Sequence, residues 1–208
     1  MKRKAILTTS GAGIGGLGGL TALTANYLLP HDGSIKGTLK SKGIRLISFD
    51  LDSQFQSSQW AAEYVTSKSE IQSLIGYTQE DINEGGRRLK NWCDGVMSKD
   101  AVSNKQDLDN ASKYCGIKNI KQQLERLGVK VFEEGDSDWQ SVYTKRKNEN
   151  SSASTFEEIK KWCFSTRNKD FVASKMSTDY ADVLRYCTDK GKVEGIHTKS
   201  IEINSMTG

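Results

Sequence analysis

The sequence predicts a mainly α-helical protein in which an N-terminal transmembrane helix precedes a duplicated small helical unit. Three observations support this fold class. Residues 5–29 carry no charged side chain and follow a short basic stub. Pro30 is the only proline of the chain and few helix breakers follow it, which favours helices. One set of motifs then occurs twice in the same order, as in proteins built from repeated units.

The uncharged segment is long enough to be a membrane anchor. It runs from Ala5 to Leu29, and about 20 helical residues cross the hydrocarbon core of a bilayer. Three glycines recur at every fourth position and share one helix face: Gly11, Gly15 and Gly19. Such a face lets two membrane helices approach closely, which predicts a homodimer contact. Residues 1–31 are therefore predicted to form a basic stub and an anchor in the lipid bilayer.

Two other interpretations of this segment remain open. A basic start and an apolar middle are also typical of a cleaved secretory signal, here with a cut after Ala25. The spacing of Gly11, Gly13 and Gly16 fits G-x-G-x-x-G, a loop that holds a pyrophosphate at a helix N-terminus. That loop should follow a strand and precede an acidic residue on a second strand, and Asp50 is too distant for this role. If the glycines form such a loop, the protein is a dinucleotide-binding enzyme.

The distribution of charge indicates the orientation of the anchor and the class of partner. Lys2, Arg3 and Lys4 precede the apolar segment, so the positive-inside rule predicts a single-pass protein with its bulk outside the cell membrane. Of 30 basic and 26 acidic residues, those three basic residues lie in the stub, which leaves the remainder nearly neutral. No nucleic acid is expected as a partner, because phosphate-backbone binding requires a basic surface.

Four pairs of motifs indicate that residues 32–117 and 118–208 are two copies of one helical unit. The first pair matches Ile35, Leu39 and Gly43 with Ile120, Leu124 and Gly128, all three at the same offset. The others match Trp60 and Tyr64 with Trp139 and Tyr143, Trp92-Cys93 with Trp162-Cys163, and Tyr114-Cys115 with Tyr186-Cys187. The offset differs from one pair to another while the order is preserved, as expected if length differences fall in loops.

Each copy is expected to contain an entry helix, a Trp/Tyr helix and a final helical hairpin. The entry helices are residues 35–42 and 120–127, each ended by a glycine. The stretches that follow, 44–49 and 129–132, are expected to be brief strands or extended links. Thr78-x-x-Asp81 and Thr155-x-x-Glu158 precede the first helix of each hairpin, the second of them as a capping box.

The four cysteines fall two per copy, and the two pairs have similar spacing. In an exported domain an even number of cysteines suggests disulfides. Of the three possible pairings, the duplication favours Cys93 with Cys115 and Cys163 with Cys187. The alternative is that each cysteine is a small, reduced core residue. No metal site is expected, because the sequence contains no C-x-x-C pair.

No catalytic residues are recognised, so the protein is not expected to be an enzyme or to carry a cofactor. Its two histidines, His31 and His197, lie far apart in the sequence. Asp50 and Asp52 are the best candidates in the sequence for a metal-binding or catalytic acid pair. The corresponding acidic stretch of the second copy is expected to be a solvated loop. The aromatic residues at helical spacing are expected to be core rather than a ligand box: Trp60, Tyr64, Trp92, Trp139, Tyr143 and Trp162.

The glycine-rich N-terminal segment, the Ile-Lys-x-x-Leu motif with its glycine, and the Trp-Cys and Tyr-Cys pairs resemble the paralogous proteins of haemotropic mycoplasmas. The resemblance covers nearly the whole chain. It implies a membrane-anchored surface antigen, variable between paralogues, that contacts a host surface molecule or antibody. No catalytic residues are known for that family, so the resemblance assigns none here. A third hypothesis is a structural membrane protein that dimerises through its glycine face.

Overall fold

The computed structural model describes residues 32–146, 155–175 and 178–189, and the mainly helical fold class is confirmed for them. The helices are α1 (Ile35–Ser41), α2 (Ile47–Asp50), α3 (Ser53–Thr66), α4 (Lys68–Ile75), α5 (Ile82–Val96), α6 (Lys105–Tyr114), α7 (Ile120–Arg126), α8 (Trp139–Arg146), α9 (Phe156–Thr166) and α10 (Thr178–Tyr186). A 3₁₀ turn, Ala173–Lys175, precedes α10. Among these residues β-structure is limited to isolated bridges.

The predicted anchor lies outside the described residues, together with Gly11, Gly15 and Gly19. Within the described residues, no helix combines the length and the apolar character that a membrane crossing requires. The prediction of an N-terminal transmembrane helix therefore stays a prediction.

The entry helices of the two copies have the same start and end. Each N-cap side chain accepts a hydrogen bond from a backbone amide of the first turn, at Ser34 in α1 and at Asn119 in α7. The α7 cap is a full capping box, because Gln122 in turn accepts from the Asn119 amide at 2.9 Å. Past each C-cap the backbone turns left-handed at a glycine, Gly43 with φ 74° and Gly128 with φ 75°. The predicted helix stops are confirmed.

Backbone hydrogen bonds recur at matching positions and tie the start of each copy to its hairpin. In the first copy the Ile35 amide donates to the Lys99 carbonyl at 2.9 Å, and the Ile47 amide donates to the Cys115 carbonyl at 3.0 Å. The matching bonds of the second copy run from Ile120 to Lys169 at 3.0 Å and from Phe132 to Cys187 at 2.9 Å. Ile47 and Phe132 are as far apart in the chain as Ile35 and Ile120, so these bonds follow the same correspondence as the sequence motifs.

One local prediction for the first copy is wrong in detail. Residues 44–49 are not one extended link, because α2 begins at Ile47 and only Leu46 forms a bridge, with Gly116. The Asp50 carboxylate accepts a hydrogen bond from the Leu46 amide at 2.7 Å and so closes this helical turn. Of the predicted Thr78-x-x-Asp81 motif, Asp81 is the cap of α5, since its carboxylate accepts a hydrogen bond from the Glu84 amide.

Helix α3 contributes to both hydrophobic clusters of the protein. Trp60 and Tyr64 lie in the cluster of the first copy, whereas Ala61 and Ala62 lie in the cluster of the second copy. Residues four apart share a helix face and their direct neighbours point elsewhere, so one helix can serve both clusters. The two copies are therefore packed together around a helix that belongs to the first of them.

Candidate functional site

Both predicted cysteine pairs lie at disulfide distance and are bonded. Cys93 with Cys115, and Cys163 with Cys187, each have Cα atoms 5.8 Å apart, within the roughly 7 Å that a disulfide can span. Each bond joins the two helices of a hairpin, α5 to α6 and α9 to α10. All four residues are buried in the hydrophobic clusters, so the bonds are structural rather than exposed to a substrate.

Five of the six residues of the predicted aromatic stripe lie in or against the hydrophobic clusters, whereas Tyr143 is half-buried and contacts the Phe156 ring. Trp60, Tyr64 and Trp139 are at most 3 % exposed. Trp92 and Trp162 are half-buried and pack against the cluster of their own copy. The two equivalent tryptophans differ in one respect: the Trp139 indole donates to the Glu133 carbonyl at 2.7 Å, whereas the buried Trp60 indole has no acceptor among the described residues.

The acidic residues considered in the sequence serve structural roles. Asp50 closes α2, and Asp52 is the N-cap residue of α3 without a side-chain cap bond. In the second copy, hydrogen bonds from Lys121 and Arg167 hold the pKa of Glu133 below its ordinary value. Among the described residues there is no group of histidine, cysteine or acidic side chains suited to a metal ion. The Asp50 and Glu133 carboxylates are already hydrogen-bonded within the protein.

A polar contact joins α3 to the second copy, and we call it the seam. Its centre is Glu63, whose carboxylate accepts hydrogen bonds from both terminal nitrogens of Arg126 at 2.6 and 2.8 Å. The Glu63 side chain is 1 % exposed and that of Arg126 is 18 % exposed. Arg126 also donates to the Ser67 hydroxyl at 2.9 Å. A bidentate guanidinium–carboxylate pair fixes the relative orientation of its two helices, here α3 and α7.

Two further hydrogen bonds extend the seam along α3. The buried Gln59 side chain accepts from the Ala173 amide, in the 3₁₀ turn, at 2.9 Å. The Gln123 side chain of α7 donates to the Thr66 hydroxyl at 2.9 Å. Polar groups buried in this way are costly unless they are hydrogen-bonded, so these contacts allow one arrangement of the two copies and disfavour others.

Beside the seam lies a cleft of about 430 Å³ that is bounded by both copies. Its charged lining residues are Lys42, Arg45, Lys118 and Asp170. Arg45 and Asp170 form an ion pair, while the part-buried Lys118 ammonium donates to the Gly116 carbonyl at 2.8 Å. Burial lowers the pKa of Lys118 below the ordinary value of lysine. The negative charge of Glu63 raises this pKa, and the positive charge of Arg126 lowers it further, but burial has the largest effect. The cleft thus adjoins an amine that is partly withdrawn from water.

Neither the seam nor the cleft was predicted from the sequence, and a third feature was missed as well. Lys99 forms an ion pair with Asp107 at 2.6 Å, and Lys169 forms the matching pair with Asp179 at 2.8 Å. A Lys-Asp dipeptide followed by an apolar pair, starting at residues 99 and 169, marks this duplicated feature in the sequence. The seam has a weaker signal, namely polar residues on or next to α3, at positions 59, 63, 66 and 67, beside its apolar faces.

The predicted site residues therefore fall into two groups. The structure brings Cys93, Cys115, Cys163 and Cys187 together in the expected pairs, whereas the three anchor glycines lie outside the described residues. The arrangement of the described residues is suited to holding two copies in one rigid orientation and to presenting their outer surface. Comparisons with protein-family models, with curated protein sequences and with solved structures find no match to this chain.

Proposed function

We propose that this chain is a membrane-anchored surface protein whose helical domain, outside the cell, contacts a host surface molecule or an antibody without catalysing a reaction. The observation that carries the proposal is the pair of buried disulfides, one at the same place in each copy. Disulfides persist in oxidising environments and are rare in reducing cytosol. Together with the uncharged segment 5–29 behind a basic stub, they favour a domain on the outer side of a membrane.

The architecture also supports a display role. The disulfides and the seam are internal, so outward-facing residues can be replaced at little cost in stability. Two large apolar side chains of the described residues are exposed, Phe49 at 43 % and Val102 at 76 %. The Phe49 ring lies under the Lys36 ammonium at 3.7 Å. Aromatic and cationic groups of this kind are typical of residues that contribute strongly to protein–protein contacts.

Surface labelling of intact cells that express the full chain tests the proposal. A membrane-impermeant amine reagent should modify Lys113, Lys130 and Lys169, whose side chains are 51, 53 and 56 % exposed. Lys2 and Lys4 should react only after the cells are permeabilised, and a cytosolic marker protein controls for leakage. Mass spectrometry of the resulting peptides reads each lysine separately. Labelling of all five lysines only after permeabilisation would exclude display at the surface.

The two alternative functions make different predictions for the purified full chain. A dinucleotide-binding enzyme that uses the loop from Gly11 to Gly16 should carry the absorbance of a flavin or nicotinamide. A structural protein that dimerises through Gly11, Gly15 and Gly19 should lose its dimer in detergent when Gly15→Ile places a branched side chain on that face. A monomer without cofactor absorbance leaves surface display as the remaining hypothesis of the three.

A further inference from the structure

We propose that the cleft beside the seam binds a tetrahedral oxyanion, the phosphate or sulfate group of a monoester ligand. The inference concerns the folded domain alone and does not depend on where the chain is located. It goes beyond surface display because it assigns a ligand chemistry to one place on that surface.

The charge of the cleft is the first argument. Its lining carries three cationic side chains, Lys42, Arg45 and Lys118, and one carboxylate, that of Asp170. Asp170 is already paired with Arg45, so the excess positive charge resides on the two lysines. Outside the N-terminal stub, by contrast, basic and acidic residues nearly balance. A local excess of positive charge in a concave, partly desolvated place attracts an anion more strongly than the same charge on an open surface.

The hydrogen bonding of Lys118 is the second argument. An ammonium group has three N–H donors and no acceptor. Within the described part of the chain, the Lys118 ammonium uses one donor, to the Gly116 carbonyl, and no carboxylate lies within ion-pair distance of it. The acidic group whose charge acts on it, Glu63, is already held by both terminal nitrogens of Arg126. A charge withdrawn from water without an ionic partner is costly, and an oxyanion in the cleft would remove this cost.

The neutral lining is the third argument. Four neutral side chains with hydrogen-bond donors border the same cleft: Ser112, Asn119, Gln122 and Asn168. Gln122 and Lys118 also border a second depression, whose lining is completed by Glu125 and Arg126. Hydroxyl and amide donors in the same cleft as an ammonium suit a group with several acceptor oxygens, because charge-assisted and neutral hydrogen bonds can form together. An apolar ligand would leave the remaining donors of the Lys118 ammonium unpaired.

Titration calorimetry on the full chain, with inorganic phosphate and inorganic sulfate as separate probes at constant ionic strength, tests the proposal. Binding of both indicates the shared oxyanion chemistry, and binding of one alone identifies the phosphate or the sulfate ester as the ligand class. Replacement Lys118→Met should weaken binding about tenfold or more, since it removes a charge-assisted hydrogen bond. Lys42→Met should weaken binding less. Lys130→Met, at an exposed lysine outside the cleft, is the matched control and should leave it unchanged.

A footprint on the unsubstituted chain covers the case in which Lys118→Met does not fold. Acetylation of each lysine is followed by mass spectrometry with and without the anion. The proposal expects phosphate or sulfate to slow acetylation of Lys118 severalfold and to leave Lys130 unaffected. It is overturned if neither anion binds, if Lys118→Met binds as tightly as the unsubstituted chain, or if the anion protects Lys130 and Lys118 equally.

Discussion

Glu63 of α3 and Arg126 of α7 are joined by two hydrogen bonds of 2.6 and 2.8 Å although they are 63 residues apart and belong to different copies. The carboxylate is almost fully buried, and the guanidinium is its ionic partner. Two further hydrogen bonds join α3 to the second copy: Gln59 accepts from the Ala173 amide, and Gln123 donates to the Thr66 hydroxyl. The relative position of the two copies is thus fixed by directional polar contacts as well as by the shared apolar packing of α3.

Replacement Arg126→Met should destabilise the protein strongly, because it leaves the Glu63 carboxylate buried without its partner. The expected loss is about 3 kcal/mol in the free energy of unfolding, measured by urea denaturation. Replacement Arg87→Met is the control: Arg87 pairs with Glu84 on the exposed side of α5, and the free energy of unfolding should fall far less than in Arg126→Met. The double replacement Glu63→Leu with Arg126→Met should recover much of the loss. Equal stability of Arg126→Met and Arg87→Met would show that the seam pair contributes little.

Two glycines of α5 should respond oppositely to alanine. A Cβ atom on Gly86 would lie 2.8 Å from the Ala61 amide nitrogen, in the backbone of α3, whereas a Cβ on Gly95 meets nothing within 4 Å. Gly86→Ala must push α5 away from α3 and should lower the free energy of unfolding by about 1–3 kcal/mol. Gly95→Ala should raise it by up to about 1 kcal/mol, because alanine has the higher helix propensity. Equal effects at both positions would contradict the close approach of the helices.

Removal of either disulfide should destabilise the protein to a similar extent. The bonds join cysteines at sequence separations of 22 and 24, and loops of this length correspond to about 3 kcal/mol in the chain-entropy model. The pair of replacements Cys93→Ser and Cys115→Ser is compared with Cys163→Ser and Cys187→Ser by thermal unfolding. In the unsubstituted chain, alkylation of all four cysteines should require prior reduction. Alkylation without a reductant would show that the bonds are not formed in the isolated protein.

The carboxyl group of Glu84 should titrate far below its ordinary range. Hydrogen bonds from Arg87, and then from Arg88, lower its pKa from 4.5 to about 2. Since the folded state holds the charged form, the stabilisation is complete above about pH 4.5 and is lost as the pH falls towards 2. NMR titration of the Glu84 side chain measures the midpoint directly. Arg87→Met and Arg88→Met should each raise this midpoint, and high salt should also raise it because salt screens exposed charges. A midpoint near 4.5 in the unsubstituted chain would refute the pairing of Glu84 with the two arginines.

Several features could be predicted because local sequence determines them. Gly43 and Gly128 adopt a positive φ that other residues rarely tolerate, so a glycine after an apolar helix pattern marks the stop. The cysteine pairing followed from the duplication, since equivalent positions must form equivalent bonds. Helical spacing likewise indicated that Trp60 and Trp139 are core residues.

The remaining features depend on contacts between distant parts of the chain. Nothing near Glu63 in the sequence indicates that its partner is Arg126, because an ion pair across copies has no local pattern. The sequence predicts a brief strand or an extended link over residues 44–49, whereas the Asp50 carboxylate closes a helical turn there. The cleft around Lys118 exists only once α6, α7 and the segments that follow α1 and α9 are assembled. These features are set by contacts between distant parts of the chain and not by local helix or strand propensity.

The double role of α3 determines where this chain can be cut and recombined into a chimaera without loss of folding. A crossover between residues 117 and 118 would separate the second copy from Ala61, Ala62 and Gln59, on which it packs or to which it hydrogen-bonds. An exchange that carries α3 along with the second copy would instead break the contact of Trp60 with the first. Successful chimaeras must therefore preserve α3 and its partners together, whereas point substitutions on the outer faces leave these contacts intact.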